Sequence, residues 1–289
     1  MTTKSASGRP LRQLAIEHQT VFGLPPVEFV HLTADLGCHY LAIAPTGGPY
    51  NPHGYAPYSL RDDAALRRRM TAAMRDRAVC VSLGEGFTIR PGGDVRDHAA
   101  TLDAMAELGV PRINTVTMDP DLSRSFDQFG ALAEMAAARG METTVEFAPS
   151  LALADLDGAL AAVRHVARSD FRLLIDCMHL VRAGHSAADL AAVEPELIGY
   201  AQLSDNTLRQ RGATYRDDSI DRMVPGDGEF PLLEILAVLP PEVVIGLEVP
   251  MRSRAEAGEP TPERARRCVT AARSLLGDQE SAAPRVHPQ

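Results

Sequence analysis

Eight short apolar or β-branched segments recur along the 289-residue chain, and amphipathic helical patterns lie between them. This alternation predicts parallel strands joined by right-handed helical crossovers. Eight such units predict closure into a single-domain (β/α)8 TIM barrel, an α/β fold. The strands are expected at residues 13–16, 39–44, 79–83, 113–118, 142–147, 172–176, 198–204 and 243–248. Helices are expected at residues 61–77, 95–108, 126–139, 156–167 and 231–239.

The alternative fold is an open, doubly wound sheet. Such a sheet that binds nucleotides would carry a glycine-rich turn after its first strand, whereas the chain reads Glu17-His18-Gln19 at that point. The barrel is therefore predicted over residues 11–276, between flexible tails at residues 1–10 and 277–289. Helix N-caps are expected at Asp62, Asp94, Ser125, Asp155 and Thr261, with C-terminal glycines at Gly109 and Gly140.

Composition removes several classes of function. A net charge of −9 argues against nucleic-acid and anionic-membrane partners, which need a basic surface. The single lysine, Lys4, lies in the predicted N-terminal tail, so Schiff-base, pyridoxal-phosphate and P-loop chemistry are excluded. Four dispersed cysteines and the lack of a signal-like or membrane-spanning segment predict a cytoplasmic protein.

Four oxygen-bearing side chains stand at or near the ends of predicted strands 5 to 8. They are Glu146, Asp176, Gln202 and Glu248. Residues two apart on a strand share a face, and the residues that alternate with these four are apolar. The four polar groups should therefore converge at the mouth of the barrel, where the active sites of such barrels lie.

Three carboxylates crowded together would repel one another and lose solvation. A divalent cation would remove this penalty, and an all-oxygen ligand set suits Mn²⁺ or Mg²⁺, with Co²⁺ or Zn²⁺ as less suited choices. The alternative interpretation is that each acid caps a helix or pairs with an arginine. We predict one metal bound by Glu146, Asp176, Gln202 and Glu248.

The segments VEFAP, LLIDCMHLVRAG, YAQLSDN, MVPGDGEFPL and GLEVP resemble the xylose-isomerase-like barrels, the sugar phosphate isomerases and epimerases, over roughly residues 10–275. In that family Glu, Asp, His or Gln, and Glu at the ends of strands 5 to 8 bind the metal. The resemblance implies that His179, three residues after the Asp, and Arg222, before the PGDG turn, bind substrate. Gln202 replaces the histidine usual in sugar epimerases and looks more like the 3-dehydroshikimate dehydratase branch.

Other polar residues have two interpretations each. His18 and Glu85, expected at the ends of strands 1 and 3, either face the substrate or are structural. Asp205 either orients a neighbour of the metal or caps the seventh loop. His53 belongs to a lid or to an exposed loop, and Arg182 is expected to form an ion pair. Asn114 and Thr117 on strand 4 are weaker candidates.

Three functions remain open. The first is an isomerase or epimerase of a polyhydroxylated carbonyl compound, in which Glu146 and Glu248 transfer a proton through a metal-bound enediolate. The second is a metal-dependent lyase resembling 3-dehydroshikimate dehydratase, and the third a non-catalytic sugar-binding subunit. The partner is a small polyhydroxylated molecule, without nucleic acid or membrane. Family members are often homodimers or homotetramers, and the resemblance allows either.

Overall fold

Eight parallel strands close into a barrel in the computed structural model, which describes residues 13–277. Each strand pairs with the next along the chain, and the last strand pairs with the first. The strands are β1 (Leu14–Glu17), β2 (Tyr40–Ile43), β3 (Cys80–Ile89), β4 (Arg112–Thr117), β5 (Glu142–Glu146), β6 (Phe171–Asp176), β7 (Ile198–Leu203) and β8 (Ile245–Leu247). The predicted (β/α)8 barrel is confirmed. The predicted tails lie outside the described residues, apart from Gly277.

Helices follow the strands and cover the outside of the barrel. They are α1 (Pro26–Asp35), α2 (Ala64–Arg77), α3 (Ala99–Glu107), α4 (Leu122–Ala137), α5 (Leu156–Val166), α6 (Cys177–Arg182), α7 (Ala187–Ala191), α8 (Tyr215–Ser219), α9 (Leu232–Val238), α10 (Arg252–Glu256) and α11 (Thr261–Leu276). Short 3₁₀ turns lead into α3 and β7. No helix in the range 13–277 is both long and apolar enough to cross a membrane.

Two of the expected helix caps are confirmed. The side chain of Asp94 accepts a hydrogen bond from the amide of Arg96, and that of Asp155 accepts one from the amide of Gly158. Both predicted C-terminal glycines are also confirmed, since they have the left-handed φ values of +71° and +76° that side-chain-bearing residues avoid. Local sequence therefore specifies these helix ends correctly.

Three expected caps are wrong. Asp63, not Asp62, caps α2, because the helix begins at Ala64, three residues after its predicted start. Asp121, not Ser125, caps α4, which begins a full turn earlier; the Ser125 hydroxyl instead pairs with Thr117 on β4. Thr261 is the first residue of α11, after Pro260, and not its cap.

Strand β3 is longer than predicted and irregular. Its pairing with β4 shifts register between Gly84 and Phe87, and Gly86 has a φ of +95°. A Cβ atom at Gly86 would lie 2.9 Å from Cδ of Pro45, so a glycine is required there. Glu85 therefore lies inside a bulged strand and not, as expected, at the start of a loop.

Side chains alternate between the two faces of the barrel as predicted. The apolar neighbours of the four polar residues belong to the layer between strands and helices; they are Val145, Leu173, Ile175, Ala201, Leu203, Ile245 and Leu247. A separate, smaller cluster fills the interior of the barrel with Ala15, Ala42, Leu83, Leu174, Tyr200 and Val244. This packed floor lies beneath the polar residues at the carboxyl ends of the strands.

Candidate active site

The four predicted ligands lie on four consecutive strands and are all buried. Glu146 and Asp176 are the last residues of β5 and β6, Gln202 is next to last on β7, and Glu248 follows β8 directly. Asp176 pairs in register with Gln202, which pairs in turn with Gly246. The sheet therefore brings these side chains to one level at the barrel mouth.

Asn114 fixes the Glu146 carboxylate from the neighbouring strand. Its amide nitrogen donates to Oε2 of Glu146 at 2.6 Å and reaches Oε2 of Glu85 at 3.3 Å. The Thr144 hydroxyl donates to the amide oxygen of Asn114, which orients that amide. Asn114, a weak candidate from the sequence, thus contacts two of the site carboxylates.

Asp176 has two roles at the start of α6. Its Oδ1 accepts the amide of Met178 at 2.7 Å, and its Oδ2 accepts from Nη1 of Arg222 at 2.6 Å. Burial would raise the pKa of Asp176, but Arg222 and His179 outweigh burial and lower the pKa to about 2. The carboxylate is therefore ionised at neutral pH.

Arg222 lies between two of the predicted ligands. Nη1 donates to Asp176, while Nη2 lies 2.9 Å from Oε2 of Glu248, and the side chain is buried. The backbone carbonyl of Ser219 accepts from its Nε at 3.0 Å, which fixes the guanidinium from the other side. Arg222 is thus not a solvated loop residue, and it bridges Asp176 to Glu248.

Gln202 offers an amide oxygen that has no hydrogen-bond partner within residues 13–277. Its Nε2 is directed at Oε1 of Glu85 across 3.4 Å, and its Oε1 is buried without a hydrogen bond among the described residues. Buried polar atoms are nearly always satisfied in folded proteins. A buried, unpaired amide oxygen of this kind is suited to coordinate a metal ion.

Glu17 is a site residue that the sequence analysis missed. It ends β1, is fully buried, and accepts a hydrogen bond from the Tyr200 hydroxyl at 2.9 Å. Burial, followed by the charges of Glu146 and Asp176, raises the pKa of Glu17 to about 8. Placing the end of strand 1 one residue later would have revealed it.

The mouth carries more negative charge than the protein balances. Its five buried carboxylates are Glu17, Glu85, Glu146, Asp176 and Glu248. In the described part of the chain their ion pairs run only to Arg222 and His179. Burial and the neighbouring carboxylates raise the pKa values of Glu85 and Glu248 well above the ordinary range, against the opposing effect of Arg222 on Glu248.

The side chains at the mouth fit a divalent cation. Potential ligand atoms of Glu146, Asp176 and His179 lie within 4.8 Å of one another. The unpaired Oε1 of Gln202 and the excess carboxylate charge supply further reasons. Each carboxylate has about four lone-pair sites, so the hydrogen bonds to Asp176 and Glu248 leave room for metal coordination.

His179 lies at the centre of the mouth, on α6. Its Nε2 is 3.3 Å from Oε1 of Glu146 and 3.7 Å from Oδ2 of Asp176. Its Nδ1 is 2.5 Å from the hydroxyl of Tyr215, a residue of the seventh loop. Sequence reasoning selected His179 but gave no signal for Tyr215, because a loop residue has no periodic pattern.

Asp205 organises the loop that carries Arg222. Its carboxylate accepts hydrogen bonds from the backbone amides of Asn206, Gly226, Gly228 and Phe230 at 2.8–3.1 Å. This resolves its two interpretations in favour of the loop.

Replacing Asp205 with alanine should leave several of these amides unsatisfied and cost about 2 kcal/mol of unfolding free energy. Urea denaturation would check this, and an unchanged midpoint would contradict it.

His18 lies just after β1, and its Nδ1 is buried without a partner among residues 13–277. Burial lowers the pKa of His18 from 6.5 to about 4. His18 is therefore protonated below about pH 6.5 in the unfolded chain but only below about pH 4 in the folded chain. As the pH falls from 6.5 to 4, the unfolding free energy should decrease by up to about 3 kcal/mol.

Comparing the wild type with His18→Gln isolates this effect, because the other titrating groups are common to both proteins. The difference in unfolding free energy between the two proteins should change between pH 6.5 and pH 4 and stay constant above pH 7. A difference that is independent of pH would show that His18 is solvated in the folded protein.

The structure also places His53 and Arg182, for which the sequence analysis gives a loop position and an ion pair. His53 lies in the second loop, where its Nε2 pairs with Nη1 of Arg264 at 2.9 Å, a contact away from the site carboxylates. Arg182 forms the ion pair expected of it, with Asp218 at 2.8 Å. The remaining predicted substrate contacts, among them His18 and Glu85, stay predictions.

The fold and site define a class of protein: a (β/α)8 barrel with an acidic, buried mouth at the carboxyl ends of its strands. The sequence profile of the Xylose isomerase-like TIM barrel family matches residues 29–271. The chain belongs to that family. No curated protein matches the chain in sequence.

Three examples of solved structures with the same fold follow. The IolI protein with a bound zinc atom has a TM-score of 0.77, with 16% identity over 93% of this chain and 99% of that one. D-psicose 3-epimerase from Clostridium cellulolyticum H10, with D-tagatose, has a TM-score of 0.68, with 14% identity over 91% of this chain and 99% of that one. The probable 3-DHS dehydratase AsbF from Bacillus anthracis has a TM-score of 0.71, with 10% identity over 90% of this chain and 98% of that one.

Proposed function

We propose that this protein is a divalent-metal-dependent isomerase or epimerase that acts on a polyhydroxylated carbonyl compound. The observation that carries the proposal is the pair of buried glutamates, Glu146 and Glu248, on separate strands of one barrel mouth with Asp176 and Gln202 between them. Two carboxyl groups on different sides of a substrate can remove a proton and return one.

The proposed metal ligands are Glu146, Asp176, Gln202 and Glu248. Three carboxylates and an amide oxygen favour Mn²⁺ or Mg²⁺, while the zinc named for IolI keeps Zn²⁺ and Co²⁺ as candidates. When bound, the metal would act as a Lewis acid toward adjacent carbonyl and hydroxyl oxygens and so acidify the C–H bond between them.

The protein's own groups then move the proton. Either Glu146 or Glu248 accepts the proton from the carbon beside the carbonyl, and the other carboxyl returns a proton to the enediolate. We propose that His179 donates a hydrogen bond to a substrate oxygen, and that Arg222 holds Asp176 and Glu248 in place. A direct contact of Arg222 with substrate stays a prediction.

The charge of the mouth favours an uncharged substrate. Five buried carboxylates surround it, and the guanidinium of Arg222 is already paired with Asp176 and Glu248. A phosphate or carboxylate on the substrate would need a cationic side chain to pair with, and Arg222 is not free for that role. We therefore propose an unphosphorylated sugar or polyol-derived ketone, handled by a cytoplasmic enzyme.

Solvent isotope exchange tests the proposal. With Mn²⁺ present, ketoses such as D-fructose and D-tagatose are incubated with the protein in deuterated water, and products are followed by NMR. We expect deuterium at the carbon next to the carbonyl, together with a new epimer or isomer. Conversion of substrate without deuterium in either species would contradict the two-carboxyl route.

A dehydratase is the second candidate, and Gln202 in place of the histidine usual in sugar epimerases favours it. The same enediolate would then expel a β-hydroxyl group instead of regaining a proton. Incubation with 3-dehydroshikimate and other β-hydroxy ketones should then give an absorbing enone or aromatic product. A product from these compounds and none from ketoses would assign the lyase. If neither class of compound gives a product, the non-catalytic sugar-binding subunit is the remaining function.

Metal addition should stabilise the protein. A cation that binds only the folded chain stabilises it by about 2.7 kcal/mol at one hundred times its dissociation constant. We expect Mn²⁺ to raise the thermal midpoint of chelator-treated protein, and Asp176→Asn to lose most of this shift. Glu142→Asn, at the opposite end of β5, serves as the control, and an equal shift in both variants would refute the proposed ligands.

A further inference from the structure

Tyr215 contacts His179 from outside the set of proposed ligands. It is the first residue of α8, a short helix whose start is fixed by a reciprocal capping box between Thr214 and Asp217. The helix places the Tyr215 hydroxyl 2.5 Å from Nδ1 of His179. The opposite nitrogen, Nε2, faces the oxygens of Glu146 and Asp176. The imidazole is thus held between a phenol and two carboxylates.

The direction of these hydrogen bonds follows from counting donors and acceptors. A carboxylate accepts only, so an imidazole whose Nε2 faces oxygens of Glu146 and Asp176 at 3.3 and 3.7 Å is favourable when Nε2 carries the proton. If Nδ1 of His179 is then unprotonated, it accepts the phenol hydrogen and every group is satisfied. If Nδ1 carried a proton as well, the hydroxyl hydrogen of Tyr215 would have no acceptor among the described residues.

The phenol is suited to be the donor. Burial, followed by the negative charge of Asp176, raises the pKa of Tyr215 above its usual range, so the hydroxyl keeps its hydrogen. The opposite tautomer of His179, with the proton on Nδ1, would place the Nε2 lone pair against two carboxylate oxygens. Such an arrangement is repulsive in a buried site, unless a metal ion lies between them.

We propose that Tyr215 is a positioning residue that fixes His179 as the Nε2–H tautomer and so keeps the imidazole out of the metal's ligand set. The histidine then serves the site as a hydrogen-bond donor. This is so although ligand atoms of His179, Glu146 and Asp176 lie within 4.8 Å of one another, close enough to share a metal ion. An all-oxygen site disfavours zinc, which accepts nitrogen ligands readily. This consequence for metal choice rests on the proposed function, but the tautomer does not.

NMR of protein labelled with ¹⁵N-histidine tests the tautomer in metal-free protein at pH 8. His179 signals are assigned by their loss in His179→Gln. We expect a proton coupled to Nε2 and none at Nδ1 in the wild type. A proton on Nδ1, alone or together with one on Nε2, would overturn the proposal. Because no metal or substrate is needed, this result stands or falls apart from the proposed function.

The Tyr215→Phe variant tests the role of the hydroxyl. Without the donor, we expect a mixture of tautomers and, in competition titrations, a rise of about ten-fold in Zn²⁺ affinity relative to Mn²⁺. Tyr55→Phe is the matched control, since its hydroxyl pairs with Thr261 away from the site. A Tyr215→Phe variant that keeps the wild-type tautomer and metal preference would show that the hydroxyl does not direct His179.

Discussion

Replacing Glu146 or Glu248 with glutamine should lower turnover by about a thousand-fold, within the range that a positioned acid or base contributes. Glutamine keeps the size of the side chain and one oxygen that can bind a metal, but its amide cannot accept and return the proton. Both side chains are buried, so a water molecule is not expected to take over the proton transfer that either of them performs. Turnover is measured at saturating Mn²⁺, so that weaker metal binding is not mistaken for lost proton transfer.

Isotope exchange distinguishes the two glutamates from each other. If each serves one face of the substrate carbon, Glu146→Gln should still exchange the proton of one epimer with deuterated water, and Glu248→Gln that of the other. Glu142→Gln is the control, because Glu142 begins β5 and pairs with Arg112 and Arg172 away from the mouth. Undiminished exchange of both epimers in both site variants would assign proton transfer to other groups.

Gly246→Ala should destabilise the barrel by about 3 kcal/mol, the upper part of the usual range for overpacking. A Cβ atom at Gly246 would lie 1.8 Å from Oε1 of Glu17 and 2.9 Å from the Tyr200 hydroxyl. Both groups are fully buried and hydrogen-bonded to each other, so neither moves without breaking that bond. Chemical denaturation followed by circular dichroism measures the loss.

A second substitution identifies the cause of this loss. Glu17→Ala removes the atom that clashes, so the double variant should recover most of the stability lost in Gly246→Ala. Gly130→Ala is the matched control: a Cβ there meets nothing within 4 Å on helix α4, and alanine favours helix. Equal destabilisation of the single and double variants would mean that the strain lies in the backbone.

The barrel and the convergence of four polar residues could be predicted because both depend on local periodicity. Alternation along each strand decides which side chains face inward, and closure of the sheet brings the inward-facing ends of the strands together at one mouth. Glu17 was missed for a related reason: the end of strand 1 was placed at residue 16, so Glu17 was assigned to a turn. Extending the strand by one residue gives Glu17 an inward-facing position, because it lies two residues after Ala15 of the barrel interior.

The positions of Arg222 and Tyr215 could not be predicted in the same way. Both lie in the seventh loop, whose path is set by contacts distant in sequence, such as those of Asp205 with Gly228 and of Asp218 with Arg182. The charged composition of this loop would suit a solvent-exposed arginine, whereas the structure buries Arg222 between Asp176 and Glu248. The irregularity of β3 that places Glu85 in the strand depends likewise on Pro45 of a different loop.

The recognition of main-chain amides by Asp205 has a consequence for protein engineering. Its carboxylate accepts from backbone amides and so constrains the shape of the loop more than the identity of its side chains. Gly228 and Gly226 are exceptions, since a Cβ at Gly228 would lie 2.3 Å from Oδ1 of Asp205 and Gly226 has a φ of +93°. The exposed side chain of Asp227 can therefore be diversified in a combinatorial library while the anchor is retained.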